Sequence, residues 1–185
     1  MNKKTILSAI VVALILVGIG CWFIYSRQNN QNIVTTIDRD FTDQELSEIE
    51  TKISDLKSKV DSNVSKEERY TTLLALGAEQ HRIGRLVDAR ETFTAASKLL
   101  PDNPTPVGLK FIVEEAMQDY KAAKKTLEKG LELNPTSGLF WQQYIELLEN
   151  HFEISKEQLD KLYQEGLQKT NNSPELLESY NRFKS

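Results

Sequence analysis

Apolar positions along the chain form one long opening run and then a series of stripes at helical spacing. Residues 6–25 include no charged side chain, and a helix of that length would span about 30 Å. From Leu46 to Val60 the apolar residues recur at intervals of three and four, and similar stripes continue from 70 towards the C-terminus. This periodicity is typical of amphipathic helices. The sequence therefore predicts an all-α chain, with an N-terminal transmembrane helix followed by a series of amphipathic helices.

Two stretches of 34 residues, 70–103 and 104–137, carry matching side chains at matching positions. A repeat of this length holds two antiparallel helices joined by a short turn. Small side chains let two helices approach closely, and we expect Gly77 and Ala89 to lie at the first such crossing. A proline ends the second helix because it lacks an N–H group and its ring clashes with the preceding turn. The positions matched 34 residues apart are Ala89 and Ala123, Phe93 and Leu127, Ala96 and Gly130, and Pro101 and Pro135.

A third, degenerate copy follows the first two. Trp141 and Leu148 take first-helix positions, and the second-helix pattern resumes after a two-residue insertion that we place in the turn 150–154. Ser155 with Gln158 predicts a capping box at the start of this second helix. The resumed second-helix positions are Leu159, Tyr163 and Gly166.

A last helix is predicted to begin at Ser173 and Pro174, because proline is favoured at the first helical position. We expect Leu177 and Tyr180 to cover the end of the stack. Arg182 is expected to face water on the opposite side of this helix.

The spacing of the small, aromatic and proline residues resembles that of the tetratricopeptide repeat (TPR) family, and the resemblance covers roughly residues 70–171. It implies a superhelix of three helix-turn-helix repeats with a C-terminal capping helix. Such repeats stack because each helix pair leaves an apolar face that the next repeat covers. Members of this family bind other proteins, so the resemblance implies a protein-interaction scaffold.

The segment before the repeats leaves two interpretations open. Thr42 with Glu45 predicts a capped helix whose apolar stripe either packs on the first repeat or forms a short coiled-coil seam. In the second case residues 42–62 would pair two copies of the chain into a homo-oligomer. The predicted domains are a membrane anchor at 1–27, a linker at 28–41, an amphipathic helix at 42–64 and a TPR-like helical repeat domain at 65–185.

Charge and composition exclude several functions. All 27 acidic residues and 20 of the 23 basic residues follow Arg27, so residues 28–185 carry a net charge of −7. A nucleic-acid-binding protein needs a basic face, which this balance does not indicate. Cys21 is the only cysteine, so the chain has no intramolecular disulfide and no cysteine-based metal cluster.

The sequence shows no reactive constellation. His81 and His151 lack neighbouring ligands at metal-binding spacing, and neither a phosphate-binding loop nor a nucleophile motif occurs. Glu114 and Glu115 are interpreted as part of a solvated helix face. We therefore predict that the protein is not an enzyme and uses no cofactor or metal.

In the TPR family, first-helix residues between the packing positions line a concave groove, and the resemblance implies the same here. The implied groove is apolar near its start and acidic near its end. We expect it to receive an extended or helical segment with apolar anchors and a basic end. The candidate partner-binding residues are Leu74, Ala78, His81, Arg82, Ile112, Glu115, Leu139, Gln142, Glu146 and Glu149.

Some members of the family hold the carboxylate tails of chaperones with lysine, asparagine and arginine at particular first-helix positions. Those positions are occupied here by Leu74, Ala78, Leu109, Leu139 and Gln143. The chain therefore does not resemble a cochaperone of that type.

Flanking charges predict how the apolar run is oriented in the lipid bilayer. Lys3 and Lys4 precede residues 6–25, whereas only Arg27 follows closely, so the positive-inside bias places the N-terminus in the cytoplasm. The run exceeds the 7–15 apolar residues typical of a signal peptide, which favours an uncleaved single-pass anchor. We predict a membrane-anchored scaffold, with its repeats on the extracytoplasmic side, that assists assembly or maturation of envelope proteins.

Two alternatives stay open at this point. Residues 17–21, Val-Gly-Ile-Gly-Cys, loosely resemble the lipobox of bacterial lipoproteins, in which the cysteine is lipidated and becomes the N-terminus. On that hypothesis the protein is a TPR assembly lipoprotein attached through Cys21. On the other, it is a structural membrane protein that self-associates through its membrane helix and residues 42–62.

The anchor and lipoprotein hypotheses predict different mature N-termini. An uncleaved anchor keeps the apolar run and its preceding lysines, whereas lipobox processing removes everything before Cys21. We expect mass spectrometry of the full-length protein to find a chain that begins at Met1 with an unmodified Cys21. Detection of a chain that begins at an acylated Cys21 would establish the lipoprotein alternative instead.

Overall fold

A computed structural model describes residues 33–185, and within that range the chain forms eight α-helices. None of these eight helices is long and apolar enough to cross a bilayer. The predicted membrane helix, Cys21 and the polar tract 28–32 lie outside the described residues. The helices are α1 (Asp43–Asp61), α2 (Lys66–Arg82), α3 (Leu86–Leu99), α4 (Thr105–Ala116), α5 (Tyr120–Leu133), α6 (Gly138–His151), α7 (Lys156–Lys169) and α8 (Pro174–Lys184).

Three helix-turn-helix pairs make up the repeat domain: α2 with α3, α4 with α5, and α6 with α7. The second helices of the first two pairs begin at Leu86 and Tyr120, which are 34 positions apart. The third begins at Lys156, two positions late. The predicted insertion is therefore confirmed in the turn after α6, which ends at His151.

Equivalent small residues bury the contact between successive repeats. Ala89 and Ala123 are both 0% exposed. Ala89 belongs to an apolar cluster that includes Val113 of the next repeat, and Ala123 belongs to one that includes Phe140 of the repeat after that. The two alanines thus take the same place in consecutive repeats, as the 34-residue register predicts.

Within the first repeat, a glycine accommodates an aromatic ring. A Cβ atom added to Gly77 on α2 would lie 2.6 Å from the ring of Phe93 on α3, which is closer than real Cβ contacts come. Phe93 itself is 2% exposed. Gly77 therefore makes room for an aromatic ring of α3, whereas Ala89, the other residue expected at this crossing, belongs to the cluster shared with the next repeat.

Helix α1 packs on the first repeat, as the first of the two interpretations of its apolar stripe predicts. Its N-terminus carries the predicted capping box between Thr42 and Glu45. Ile49 and Ile53 are 2% exposed and share an apolar cluster with Leu76 of α2. The centre of the seam is therefore covered by the chain's own repeat domain.

Residues 34–37 of the segment predicted as a linker lie against two turns of the repeat domain. The Val34 N–H donates to the Met117 carbonyl (2.8 Å), and the Ile37 N–H donates to the Gly84 carbonyl (3.1 Å). Thr36 forms an isolated β-bridge with Arg85, in the turn between α2 and α3. Gly84 has a φ of 78°, and a side chain there would collide with the Ile37 carbonyl. This end of the predicted linker is therefore part of the packed domain.

The last helix caps the stack through Tyr180, as predicted, but with Leu176 in place of Leu177. Leu176 is 0% exposed, whereas Leu177 is 39% exposed. Tyr180 and Phe183 pack beside Leu176 on the core of the third repeat. The choice of Leu177 is wrong because Leu176, Tyr180 and Phe183, spaced by four and three, form a continuous apolar stripe that also buries the phenylalanine.

Glu114 contradicts the prediction of a solvated face. It is 1% exposed, and one of its carboxylate oxygens lies 3.3 Å from Nζ of Lys110, one helical turn earlier on α4. Its neighbour Glu115 is exposed, as expected. Adjacent residues on a helix point about 100° apart, so two neighbouring glutamates need not share an environment.

Two glycine-to-alanine substitutions test the crossing between α2 and α3. We expect Gly77→Ala to lower the free energy of unfolding by about 1–3 kcal/mol, because the added methyl displaces the ring of Phe93. Gly108→Ala is the matched control, since its Cβ would lie 3.5 Å from the ring of Phe140, an ordinary contact. That variant should be unchanged or about 0.5–1 kcal/mol more stable, because alanine favours a helix interior. Urea denaturation followed by circular dichroism measures both, and equal effects at the two sites would contradict the packing described.

His81 makes the stability of the domain depend on pH. Burial lowers the pKa of His81 below its usual 6.5, and the positive charge of Arg39 lowers it further. Below about pH 6.5 the unfolded chain therefore binds the proton more readily than the folded one, and stability falls as the pH drops towards the folded pKa. We expect His81→Asn to show a smaller loss of stability between pH 7 and pH 5 in urea denaturation. Arg39→Gln should reduce that loss partially, and unaltered pH dependence in both variants would contradict this role of His81.

Candidate partner-binding site

The predicted groove residues lie on the first helices of the repeats, and most of them are exposed or half-buried. Leu139 and Ile112 are exposed large apolar side chains, at 57% and 43%. Ala78, Glu115 and Glu149 are also exposed. Leu74, His81, Gln142 and Glu146 are half-buried, and Arg82 is exposed.

Two cavities on this surface adjoin each other, because Glu146 and Asn150 of α6 line both. One has a volume of about 200 Å³ and lies between α4 and α6. The other has a volume of about 280 Å³ and is closed by the capping helix α8. Three of the predicted residues, Glu115, Glu146 and Glu149, therefore come together, and we call the two cavities with these residues the acidic groove.

The groove carries three carboxylates and one cation close to them. Glu146 accepts a hydrogen bond from Nε2 of Gln142 (3.0 Å), and its carboxylate lies 3.8 Å from the guanidinium of Arg182. Burial, together with the carboxylates of Glu149 and Glu146, raises the pKa of the Tyr163 phenol to about 12. The direction of this shift reflects burial first and the two carboxylates second.

An acceptor without a partner also lines this groove. The side-chain oxygen of Gln143 is buried, and no residue of 33–185 donates a hydrogen bond to it. A buried carbonyl oxygen that lacks a donor costs free energy, and a bound N–H group would recover it. The groove therefore offers a neutral acceptor next to its carboxylates.

The predicted residues of the first repeat lie away from this groove, and two of them contact the domain core or a neighbouring segment. Leu74 packs against the cores of the first repeat. Arg82 pairs with Glu79 (2.6 Å), and its guanidinium lies 5.9 Å from the ring of Phe41 in the N-terminal segment. None of Leu74, Ala78, His81 and Arg82 lines either cavity of the acidic groove.

Nine residues that line the groove are absent from the sequence-based prediction, and the polar ones that bear on binding include Gln143, Asn150, Tyr163 and Arg182. Gln143 and Asn150 lie three positions before and four after Glu146, which places them on the same helix face. That spacing was a usable signal. Arg182 lies on the capping helix, whose orientation depends on how Leu176 is buried. The contact of Arg182 with Glu146 therefore cannot be predicted from local sequence.

The groove shows no arrangement for chemistry. Among the described residues, no three His, Cys, Asp or Glu side chains are grouped so that they would hold a metal ion. The carboxylates pair with Gln142 and Arg182 or face solvent, and the nearby histidine, His151, stacks on the ring of Tyr120 with centroids 3.5 Å apart.

Similarity to known proteins is found at the level of the fold. No protein-family model matches the sequence, and no curated protein is detectably similar to it. Solved structures do match. The first TPR domain of Spaghetti (RPAP3), bound to the HSP90 peptide SRMEEVD, has a TM-score of 0.52 at 15% identity, over 65% of this chain and 94% of that one.

Two further solved structures are also similar to this chain in fold. The type III secretion chaperone SycD of Yersinia enterocolitica, in complex with a peptide of the translocator YopD, has a TM-score of 0.53 at 20% identity, over 66% of this chain and 92% of that one. MamA has a TM-score of 0.52 at 16% identity, over 73% and 77% of the two chains. Together with the helix pairs and their 34-residue register, these matches show that the described part of the chain has the TPR fold.

Proposed function

We propose that the protein is a scaffold whose acidic groove binds a segment of a partner protein with apolar anchors and a basic end. The observation that carries this proposal is that Glu115 and Glu146 line one cavity with the unpartnered oxygen of Gln143, while Glu149 lines the adjoining one. A lysine or arginine side chain supplies both the positive charge and the N–H donors that this grouping lacks.

Apolar anchors suit the other part of the surface. Ile112 on α4 and Leu139 on α6 are largely exposed, although large aliphatic side chains are usually buried. Two such side chains on first helices offer contact area for leucine-like residues of a bound segment. The partner segment would thus be read by apolar contact at one end and by charge at the other.

The structural neighbours support peptide binding as the mode of recognition. Two of them are in complex with peptides, one from HSP90 and one from the translocator YopD. These two peptides are ligands of the neighbouring structures, and only the mode of binding is carried over to the proposal. In this chain, the first-helix positions at which TPR proteins that bind chaperone tails have basic and amide side chains are occupied by Leu74, Ala78, Leu109, Leu139 and Gln143. A basic segment therefore fits this chain better than a carboxylate tail.

The location of the scaffold is part of the proposal and rests on the sequence. The uncharged run 6–25, preceded by Lys3 and Lys4, supports a single-pass anchor with a cytoplasmic N-terminus. The repeat domain would then work outside the cytoplasm, in the assembly or maturation of envelope proteins.

A labelled helical peptide with leucines four residues apart and a lysine- and arginine-rich end tests the groove. We expect Glu115→Lys/Glu149→Lys to weaken its binding to the full chain by about tenfold, because the removed carboxylates pair with the basic end. Glu48→Lys/Glu132→Lys is the matched control, with the same charge change at exposed sites on α1 and α5. Fluorescence anisotropy at constant ionic strength gives the dissociation constants. An equal loss of affinity in both variants would mean that net charge, and not the groove, attracts the peptide.

The apolar part is tested with the same peptide and assay. Leu139→Ser should weaken binding, whereas Leu46→Ser, at an exposed leucine of α1 (40%), should leave it unchanged. Affinities that remain equal for both serine variants would rule out Leu139 as a contact.

A further inference from the structure

A second groove of opposite charge lies between the second helices α3 and α5. It consists of two cavities of about 420 and 260 Å³ that share Thr94, Lys110 and Glu114. Five basic and two acidic side chains line them, although residues 28–185 as a whole carry a net negative charge. The charged lining residues of this basic groove are Arg90, Lys98, Lys110, Lys125, Lys129, Glu91 and Glu114.

Glu114 faces both cavities and has one oxygen without a partner. Its side chain is 2% exposed, and Oε1 lies 3.3 Å from Nζ of Lys110. No residue in the described part of the chain donates a hydrogen bond to Oε2, which is also buried. A buried carboxylate oxygen without a donor is costly. A ligand that brings an N–H group into the groove would remove that cost.

The groove walls provide cations and further acceptors. Within residues 33–185, Lys98 on α3 and Lys125 on α5 have no carboxylate within ion-pair distance, so both ammonium groups are available. The hydroxyls of Thr94 and Ser97 donate to carbonyls of their own helix, at 2.8 and 3.0 Å. Their oxygens keep lone pairs that accept hydrogen bonds.

We infer that the basic groove binds an extended acidic segment of a second protein partner. The carboxylates of that segment pair with Lys98 and Lys125, and a backbone N–H donates to Oε2 of Glu114. A polypeptide carries negative side chains and N–H donors together. Polyphosphate brings negative charge but supplies no N–H donor for Oε2 of Glu114, so the buried carboxylate favours the peptide over that polymer.

A fluorescein-labelled peptide in which aspartate and glutamate alternate with serine tests this site on the detergent-solubilised full chain. We expect Lys98→Glu/Lys125→Glu to weaken binding by about tenfold or more in fluorescence anisotropy. Lys66→Glu/Lys156→Glu is the matched control, with the same charge change at exposed first positions of α2 and α7, where a negative charge favours the helix. The affinity of this control for the peptide should stay within about twofold of that of the unmodified chain.

Three further measurements address the role of Glu114. Methylation of the peptide's backbone nitrogens keeps its charge but removes its donors, and should weaken binding about tenfold. Glu114→Gln, which replaces an accepting oxygen by a donating amide at constant volume, should weaken binding of the unmethylated peptide only. Polyphosphate of matched charge should bind less tightly than the peptide.

Several results would overturn the inference: no binding of the acidic peptide, an equal loss in the Lys66/Lys156 control, or indifference to backbone methylation. Polyphosphate binding as tight as that of the peptide, with the same dependence on Lys98 and Lys125, would assign the groove to phosphate-bearing ligands instead. Circular dichroism of each variant shows that the helical fold is retained. The Glu115/Glu149 variant of the acidic groove should bind the acidic peptide normally, which separates the two surfaces.

Discussion

Each helix pair in this protein leaves one face of its second helix uncovered, and the burial of that face organises the whole domain. In the first repeat the uncovered face carries Ala89, which lies in one apolar cluster with Val113 on the first helix of the next repeat. Burying a side chain of the size of valine contributes about 1.5–3 kcal/mol. Because the small residues recur every 34 positions, each repeat is received in the same way as the one before it, and the first helices come to share a surface.

The apolar faces at the two ends of the stack are covered by single helices, because the described part of the chain has no further repeat to cover them. At the N-terminal end, α1 buries Ile49 and Ile53 against Leu76, so an amphipathic helix replaces a preceding repeat. At the C-terminal end, α8 buries Leu176 on the third repeat. This capping helix also brings Arg182 to Glu146, so one element both closes the core and sets part of the groove's electrostatics.

Features that depend on local spacing could be predicted from the sequence, and features that depend on tertiary contacts could not. The register of Ala89 with Ala123 and the capping box of Ser155 are local patterns, and they identify the repeats and even the two-residue insertion. Glu114 is different. The sequence does not distinguish a glutamate on a solvent-exposed helix face from one on a buried face. Glu114 is buried because α3 and α5 pack against α4. For the same reason Glu115, Glu146 and Glu149 could be predicted as groove residues from their spacing, whereas Tyr163 and Arg182 line the groove from α7 and α8 and could be identified only from the packing.

The contacts of Val34 and Ile37 have a mechanical consequence. Both hydrogen bonds precede α1 in the chain, yet they end on Gly84 and Met117, in the turns of two different repeats. A pulling force applied at residue 33 would therefore load those two turns before it reached α1. The tension would be shared between two repeats, and the first helix would not be the first element to separate from the stack.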